Sequence, residues 1–455
     1  MEFSAVSRVV HDLDMPPQAR DAFLHLLDRH GRGREPFPAW ESIRSPDTQK
    51  LLPYQKLEQP GDEAGRRALS HLAVCKLNGG LGTSMGCSGP KSLIAVKEGR
   101  TFLDLIVQQL QEVQQTWGVP VPLWLMNSFY TEEATAAVLP SYPSSQRIDF
   151  FTQNRFPRLH KSTGLPLDEA VSGVEAWYPP GHGDLYACLS ERGILDRLLT
   201  EGRKLLFVSN ADNLGATVDV AIAHHMLQHD IPFLMEMTAK TPTDVKGGTL
   251  YEDAEGRLHL LEIAQVPPQH VDAFCGTEKF NVFNTNNVWI HLEHLKRRLD
   301  AGPLDLTPIV NEKSVDGQPV IQLETAVGAA LEHFEHAVGL VVERDRFLPV
   351  KTTSDLMMVQ SDLFIEEGAR LRRNPARRQP QLPVIDWQGP LERFEEYGKR
   401  IPQSPSLVHL ESLEVRGNVW FRGMATLKGK VRLISRDKPL AVPGGVVLDN
   451  QTLEN

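Results

Sequence analysis

The sequence predicts an α/β protein, with a doubly wound mixed sheet followed by a C-terminal parallel β-helix. Three observations predict it. Short apolar, β-rich runs alternate with helical patterns from about Leu72 to Asp362. A loop holding five glycines follows directly on the first of those runs. Near the end of the chain Gly417, Gly423 and Gly429 recur every six residues, the period of a hexapeptide β-helix.

Residues 1–70 are polar and rich in proline, and read as a small helical lead-in. Pro16 and Pro17 stand where a helix can start, and Ala19, Phe23, Leu24 and Leu27 keep helical spacing. Gly31 and Gly33 end it, with Arg29 and His30 at its negative pole. Residues 71–365 carry the alternating texture: Ala73–Leu77, Val121–Met126, Ile148–Phe151, Leu205–Val208 and Phe233–Met237 read as buried strands. Thr101, with Asp104 three residues on, opens a helix between the first two, its apolar face formed by Phe102, Ile106, Leu110 and Val113. In such sheets ligands bind beyond the carboxyl ends of the strands, so the loops after those runs are where chemistry belongs. Residues 366–455 begin with a basic, proline-bearing stretch, Leu371–Pro380, that reads as an exposed linker. Val408, Leu410, Leu413, Val415, Val419, Phe421, Leu427, Val431 and Leu433 follow as short β segments, which an antiparallel meander would also explain.

Composition narrows the function. The 455 residues leave room for roughly two to four domains, and a 41% apolar content supports a real core. With 48 basic and 58 acidic residues the formal charge is −10, which excludes a general nucleic-acid coat protein. A polyanionic ligand would have to be held by local lysines, backbone N–H groups and metal ions. The four cysteines, Cys75, Cys87, Cys188 and Cys275, have no CxxC spacing, so neither a disulfide framework nor a zinc knuckle is expected. No apolar run reaches the ~18 residues of a membrane span, and the acidic start does not read as a signal peptide. A cytoplasmic protein is expected.

The loop from Asn78 to Ser92 is the strongest local signal. Glycines let the backbone approach a nucleotide and aim N–H groups at phosphate, and Lys91 adds a mobile charge. Pro90 breaks the Gly-Lys-Ser order of a Walker A loop, and the spacing is not that of a dinucleotide fingerprint. A surface loop with a solvated lysine is the plainer alternative.

LNGGLGTSMGCSGPKS closely resembles the signature of the eukaryotic-type UDP-glucose pyrophosphorylase family. The resemblance continues in order through TFLDLIVQQL, LMNSFYTEE, AWYPPGHGD, FVSNADNLGATVD, DVKGGTL, EIAQVP, FNTNNVWI, VIQLETAVGAA and RFLPVKTTSDLMMV, covering residues 70–360. UDP-N-acetylhexosamine and UDP-sugar relatives share the glycine loop but carry Ala in place of Asn78. The resemblance implies a nucleotide-diphospho-sugar transferase, Rossmann-like fold with a left-handed β-helix at the C-terminus. It also implies a Mg²⁺-dependent uridylyltransferase that forms UDP-glucose and pyrophosphate from UTP and glucose 1-phosphate, reversibly, by in-line attack on the α-phosphorus.

Site residues follow from the same resemblance. UTP would be held by Leu77, Asn78, Gly79, Gly80, Lys91, Gln153, Gly181 and Lys351, with Lys91 and Lys351 catalytic. The sugar phosphate would meet Gly79, Gly80, His182, Asn210, Ala211, Asp212, Gly248, Glu262, Asn284 and Asn286. Lys246 stands in the same polar group. Asp212 would carry the metal, since Mg²⁺ takes one or two carboxylates plus phosphate oxygens and water. From the residues alone other roles stay open. Asp212 could cap a helix near Thr217, His182 could be structural, and Lys351 could be a surface lysine. The 284–287 run and Lys246–Thr249 read as loop chemistry. N-acetylglucosamine or galactose 1-phosphate as the sugar, and a catalytically silent sensor or scaffold, are the rival functions. No nucleic-acid or membrane partner is expected. The C-terminal stretch is a candidate interface for a second copy, physically separate from the phosphate contacts.

Overall fold

The computed structural model describes residues 3–31, 40–47, 50–82, 85–87, 89–240 and 247–455. The chain packs into two compact units that interleave along the sequence. The first is Met1–Gly79, Val113–Asn210 and Val218–Arg344; the second is Gly80–Glu112, Ala211–Thr217 and Asp345–Asn455.

The first unit is built on an eight-stranded mixed sheet. Its strands in chain order are β1 Leu51–Pro53, β2 Leu72–Asn78, β3 Leu123–Asn127, β4 Ile148–Thr152, β5 Leu205–Asn210, β6 Phe233–Ala239, β7 Val282–His291 and β8 Val338–Val342. In space they run β1-β8-β6-β7-β5-β2-β3-β4. All neighbours pair in parallel except β7, which is antiparallel to both β5 and β6. The five predicted strands all lie in this sheet. Central strands are buried on both faces, with Ala73, Val74, Leu206, Phe207, Val208 and Met235 under 2% exposed, so a continuous apolar run rather than an alternation marks them. Phe207 stacks on Trp289 of β7 with ring centroids 4.2 Å apart.

Three strands escape the sequence reading. β1 is only three residues long, and β8 lies in a run with no flanking turn signal. β7 includes Asn284–Asn287, which looks like loop because four polar residues stand together. That stretch is a bulge. Between the pairs Met235↔Val288 and Met237↔Asn284, three residues of β7 face the single residue Glu236. Glu236 is wholly buried and organises the distortion. Its carbonyl accepts from Thr285 Oγ1 at 2.8 Å, and its carboxylate accepts from Asn287 Nδ2 at 3.0 Å and Trp289 Nε1 at 2.8 Å.

Among its described residues the lead-in contains three α-helices, Phe3–His11, Pro17–Gly31 and Asp62–Ser70. Leu26 joins Ala19, Phe23 and Leu27 in the buried face where Leu24 was expected; Gly33 lies outside the described residues. The helix Phe102–Trp117 starts as its sequence predicts. Asp104 Oδ2 accepts from Thr101 N at 2.7 Å, and Thr101 Oγ1 accepts from Asp104 N at 3.1 Å.

The second unit contains the C-terminal strands β9 Val384–Gln388, β10 Leu410–Arg416, β11 Val419–Arg422, β12 Thr426–Ile434, β13 Leu440–Pro443, β14 Val447–Asp449 and β15 Thr452–Glu454. β9 pairs with β10, β10 with β12, β11 with β13, and β12 with β14 and β15, always in parallel, so the stretch is not an antiparallel meander. Gly417, Gly423 and Gly429 all take positive φ. Two expectations are corrected here. Leu371–Pro380 is only in part an exposed linker: five of its residues are exposed, but Arg377 is 6% exposed and donates to the carbonyls of Gln381, Val408 and Leu410 at 2.6–3.0 Å. Nor is the C-terminal stretch separate from the phosphate segments. Met85, Phe102, Leu214, Leu348 and Val350 share one apolar core with Leu413, Val415, Val431 and Leu433. A division in chain order at residue 365 misses this, because the shared core draws on segments far apart in the sequence.

Truncation before Pro439 removes β13–β15 and the buried Val442 and Leu448. Losing two buried aliphatic side chains should destabilise this unit by about 3–6 kcal/mol. Calorimetry on full-length and truncated chain should show a clear fall in melting temperature for the truncated chain; equal melting would contradict the shared core.

Candidate active site

The candidate polar side chains form one group in the second unit and several in the first. The chain passes from the first unit to the second at Gly79–Gly80 and again at Asn210–Ala211.

In the second unit the chain leaves β5 through the buried Ala211 to Asp212, which is 7% exposed. Asp212 Oδ2 accepts from Lys91 Nζ at 3.1 Å and from Lys351 Nζ at 3.5 Å. Its other oxygen, Oδ1, is buried and has no hydrogen-bond partner among the described residues. Asp212 caps no helix. The next helix, Val220–Gln228, is capped by Asp219, whose Oδ1 accepts from Ile222 N at 3.1 Å.

Sequence reasoning missed the neighbour that makes this arrangement hold. Asn213 Oδ1 accepts from Leu348 N at 2.8 Å and from Gly215 N at 3.1 Å, while its Nδ2 donates to the Arg346 carbonyl at 3.3 Å. With Val350 N donating to the Asp212 carbonyl at 3.2 Å, segment 346–351 is laced to segment 211–217. Lys351 then precedes a capping box, in which Thr352 and Asp355 open the helix Thr353–Gln360. Lys91 is held from the other side: its N–H donates to the Gly80 carbonyl at 3.3 Å and its Nζ to the Val350 carbonyl at 3.2 Å. Thr83, Ser84 and Ser88 of the glycine loop lie outside the described residues. Two ammonium groups about one carboxylate leave a local positive surplus, which suits phosphate. The unpartnered oxygen suits a hard divalent cation.

In the first unit, one cluster stands where β2, β3 and β4 end. Leu77 is partly buried within β2. The Asn78 amide nitrogen is spent on the fold, donating to Asn127 Oδ1 at 2.7 Å and Thr135 Oγ1 at 3.0 Å. Ser128 Oγ donates to the Gly79 carbonyl at 2.7 Å. Gln153 lies so close to Gly79 that a Cβ there would collide with Nε2. Gln153 Oε1 is buried without a partner among the described residues, leaving an amide acceptor for a ligand.

A second cluster begins at His182. Its Nδ1 accepts from Val327 N at 2.8 Å, which puts the hydrogen of the neutral ring on Nε2 as a donor. The turn around it is fixed by Gly183 N to the Thr325 carbonyl, 2.8 Å, and Thr325 N to the carbonyl of Pro180 beside Gly181, 3.0 Å. Thr325 lies in the segment VIQLETAVGAA, but nothing in that segment names a role for it.

The hexose candidates form one chain of contacts. Asn284 N donates to the Gly248 carbonyl at 2.7 Å, Asn286 N to Asn284 Oδ1 at 2.7 Å, and Asn286 Nδ2 to Asn210 Oδ1 at 2.8 Å. A Cβ on Gly248 would lie 2.7 Å from the Glu262 carboxylate, so the two are in contact. Burial holds the Glu262 carboxyl above the usual carboxylate range. Asn286 has φ +60°, a conformation the Glu236 bulge imposes and asparagine tolerates. Lys246 lies outside the described residues.

Known proteins resemble this chain throughout. A model of the family described as UTP–glucose-1-phosphate uridylyltransferase matches residues 21–428. The UTP–glucose-1-phosphate uridylyltransferase of Pyrus pyrifolia is 45% identical over 440 residues, covering 95% of this chain and 93% of that protein. That of Saccharomyces cerevisiae is 46% identical over 418 residues, covering 90% and 83%. A crystal structure of a variant UDP-glucose pyrophosphorylase from Leishmania major in complex with UDP-glucose superposes with a TM-score of 0.89 at 33% identity, covering 100% of this chain and 99% of that one.

The hairpin leading to Glu262 carries a titratable clamp. His259 sits between Glu332 Oε2 and Asp253 Oδ2, each 2.8 Å from a ring nitrogen. Burial works against the imidazolium, but the two carboxylates outweigh it and the pKa rises. Burial likewise opposes the Asp253 charge, yet the Arg257 and His259 hydrogen bonds carry its carboxyl down to about 2. A raised histidine stabilises the fold fully below its unfolded value, ~6.5, and that stability disappears as pH rises through the folded value. Melting temperatures of wild type and His259→Gln should differ most at pH 5–6 and converge at higher pH. A gap independent of pH would contradict the clamp.

Proposed function

The chain belongs to the UTP–glucose-1-phosphate uridylyltransferase family, and from that premise we propose how its residues divide the reaction. The protein is a nucleotidyltransferase that makes UDP-glucose and pyrophosphate from UTP and glucose 1-phosphate. The sugar phosphate is itself the nucleophile, so no side chain needs to form a covalent intermediate. Its oxygen attacks the α-phosphorus in line, and the pyrophosphate oxygen leaves on the opposite side. What remains for the protein is positioning and neutralisation of charge.

Lys91 and Lys351 supply the neutralisation. The observation that carries this reading is that both ammonium groups converge on one buried carboxylate, Asp212. In the absence of phosphate that carboxylate holds the lysines in place; a triphosphate offers them stronger partners at the same spot. The residues fit a Mg²⁺ ion, since the Asp212 oxygen that has no partner among the described residues is the donor type it prefers. When bound, the ion would supply further neutralisation of phosphate charge. Gly79, Gly80 and the Asn78 backbone bring N–H groups and close approach to the nucleotide. Gln153 and Gly181 take the uracil and ribose end, where the buried Oε1 of Gln153 offers an acceptor to a base N–H. His182 donates through Nε2 to the sugar phosphate. Asn210, Gly248, Glu262, Asn284 and Asn286 form the hexose set, because linked amides and a carboxylate match the density of sugar hydroxyls.

The C-terminal strands β9–β15 are read as a parallel β-helix, supported by their uniformly parallel pairing and by glycines at positive φ. Among the described residues no helix is long and apolar enough to cross a membrane, and none of the four cysteines forms a disulfide. Both facts are consistent with a cytoplasmic setting.

Two sets of variants test the assignment. Lys91→Ala and Lys351→Ala should each lower turnover about 30- to 1000-fold, the worth of a charge-assisted contact in a partly dry site. Melting should move little for Lys351→Ala, whose side chain is exposed, and should fall for Lys91→Ala, which removes the nearer partner of the buried Asp212. Wild-type turnover in either folded variant would contradict the phosphate role. Glu262→Gln should raise KM for glucose 1-phosphate about 10-fold while KM for UTP stays put. An equal rise in both would place Glu262 outside the sugar set.

A further inference from the structure

We propose that Asp230, His291 and His294 form a binding site for a divalent ion of the late first-row transition series, of which Zn²⁺ is the type. One ligand atom from each lies within 4.8 Å of the others. Asp230 Oδ1 is 3.0 Å from His294 Nε2 and 3.7 Å from His291 Nε2. Two ligands on a tetrahedral ion with bonds of about 2.0–2.1 Å stand about 3.3 Å apart, so small side-chain shifts admit the ion. The donor set of two imidazoles and one carboxylate favours zinc, nickel or copper over magnesium, which prefers oxygen alone.

The placement is built in, not incidental. His291 ends β7 and His294 lies in the first turn of the helix Leu292–Asp300, three residues on. Asp230 occupies the turn before β6 with φ +49°. His291 is 3% exposed, and its Nε2 stands 3.7 Å from Asp230 Oδ1, beyond hydrogen-bond distance. The site also lies away from the sugar residues. Asn286 is near the start of β7 and His291 at its end, about 16 Å along an extended strand.

One neighbour opposes the ion. The exposed Arg297 donates to His294 Nδ1 at 3.0 Å, which leaves the ring hydrogen on Nε2. To present the Nε2 lone pair, His294 must carry its hydrogen on Nδ1 instead, and Arg297 must swing aside. Binding therefore moves one proton within the ring and breaks two hydrogen bonds of His294, the one from Arg297 to Nδ1 and the one from Nε2 to Asp230 Oδ1.

The test is calorimetric titration of the full, chelator-stripped chain with ZnCl₂ and with NiCl₂. The variants are Asp230→Asn, His294→Ala, Arg297→Ala and Asp212→Asn. His291→Ala is avoided because that side chain is buried. Wild type should bind one ion. Asp230→Asn and His294→Ala should each weaken binding at least about 10-fold, Arg297→Ala should tighten it, and Asp212→Asn should leave it unchanged. The melting temperature should rise with Zn²⁺ in wild type and not in His294→Ala. Absence of binding, equal affinity in all five proteins, or loss confined to Asp212→Asn would each overturn the site.

Discussion

A carboxylate buried as deeply as Asp212 has to be compensated, and that requirement organises the proposed phosphate site. Removing an ion from water is costly unless opposite charge stands close by. Lys91 and Lys351 provide it at 3.1 and 3.5 Å, and they come from segments some 120 and 140 residues distant in the sequence. To bring them in, the Asn213 side chain laces segment 346–351 to the loop after β5, and the glycine loop folds so that Lys91 N reaches the Gly80 carbonyl. The C-terminal strands share the apolar core beneath these segments. Their stability is therefore part of what keeps the lysines placed. In the proposed reading the same compensation serves function, because two cations held by one anion remain net positive and so suit phosphate.

The proposed hexose set rests on a second buried carboxylate, used differently. Glu236 meets neither substrate in this reading. It is enclosed within the sheet and satisfied by Asn287 and Trp289, and it stabilises three residues of β7 against one of β6. The bulge turns Asn286 toward Asn210 and lets its backbone take a positive φ. Asn284 and Asn286, two residues apart, would share a face in a regular strand as well; what the bulge adds is the positive φ at Asn286.

Much of the fold was legible because its signals are local. Buried parallel strands are continuous apolar runs, and the Thr101–Asp104 pair opens its helix through contacts three residues apart. The glycine loop was legible for a like reason, since Lys91 follows it directly. What stayed hidden depends on distant partners. Asn284–Asn287 looks like loop until Glu236 is placed opposite. Arg377, within its basic run, looks exposed until the carbonyls of Val408 and Leu410 are brought to its guanidinium. No motif names a role for Asn213 or Thr325, and only the distant backbone they bond reveals it. Several site residues, Gln153 and Asn286 among them, could be named from sequence only through the family resemblance. The structure adds the reason for their positions.

The central claim is that Asp212 links a metal ion and two lysines to the phosphates of UTP. Its most direct test is the Mg²⁺ dependence of UTP binding, followed calorimetrically in wild type and in Asp212→Asn without any turnover. The expected result is tight binding that requires Mg²⁺ in wild type, and weaker binding that has lost most of that requirement in the variant. Identical Mg²⁺ dependence in the two proteins would contradict the claim, because the carboxylate would then be only a counter-ion for Lys91 and Lys351.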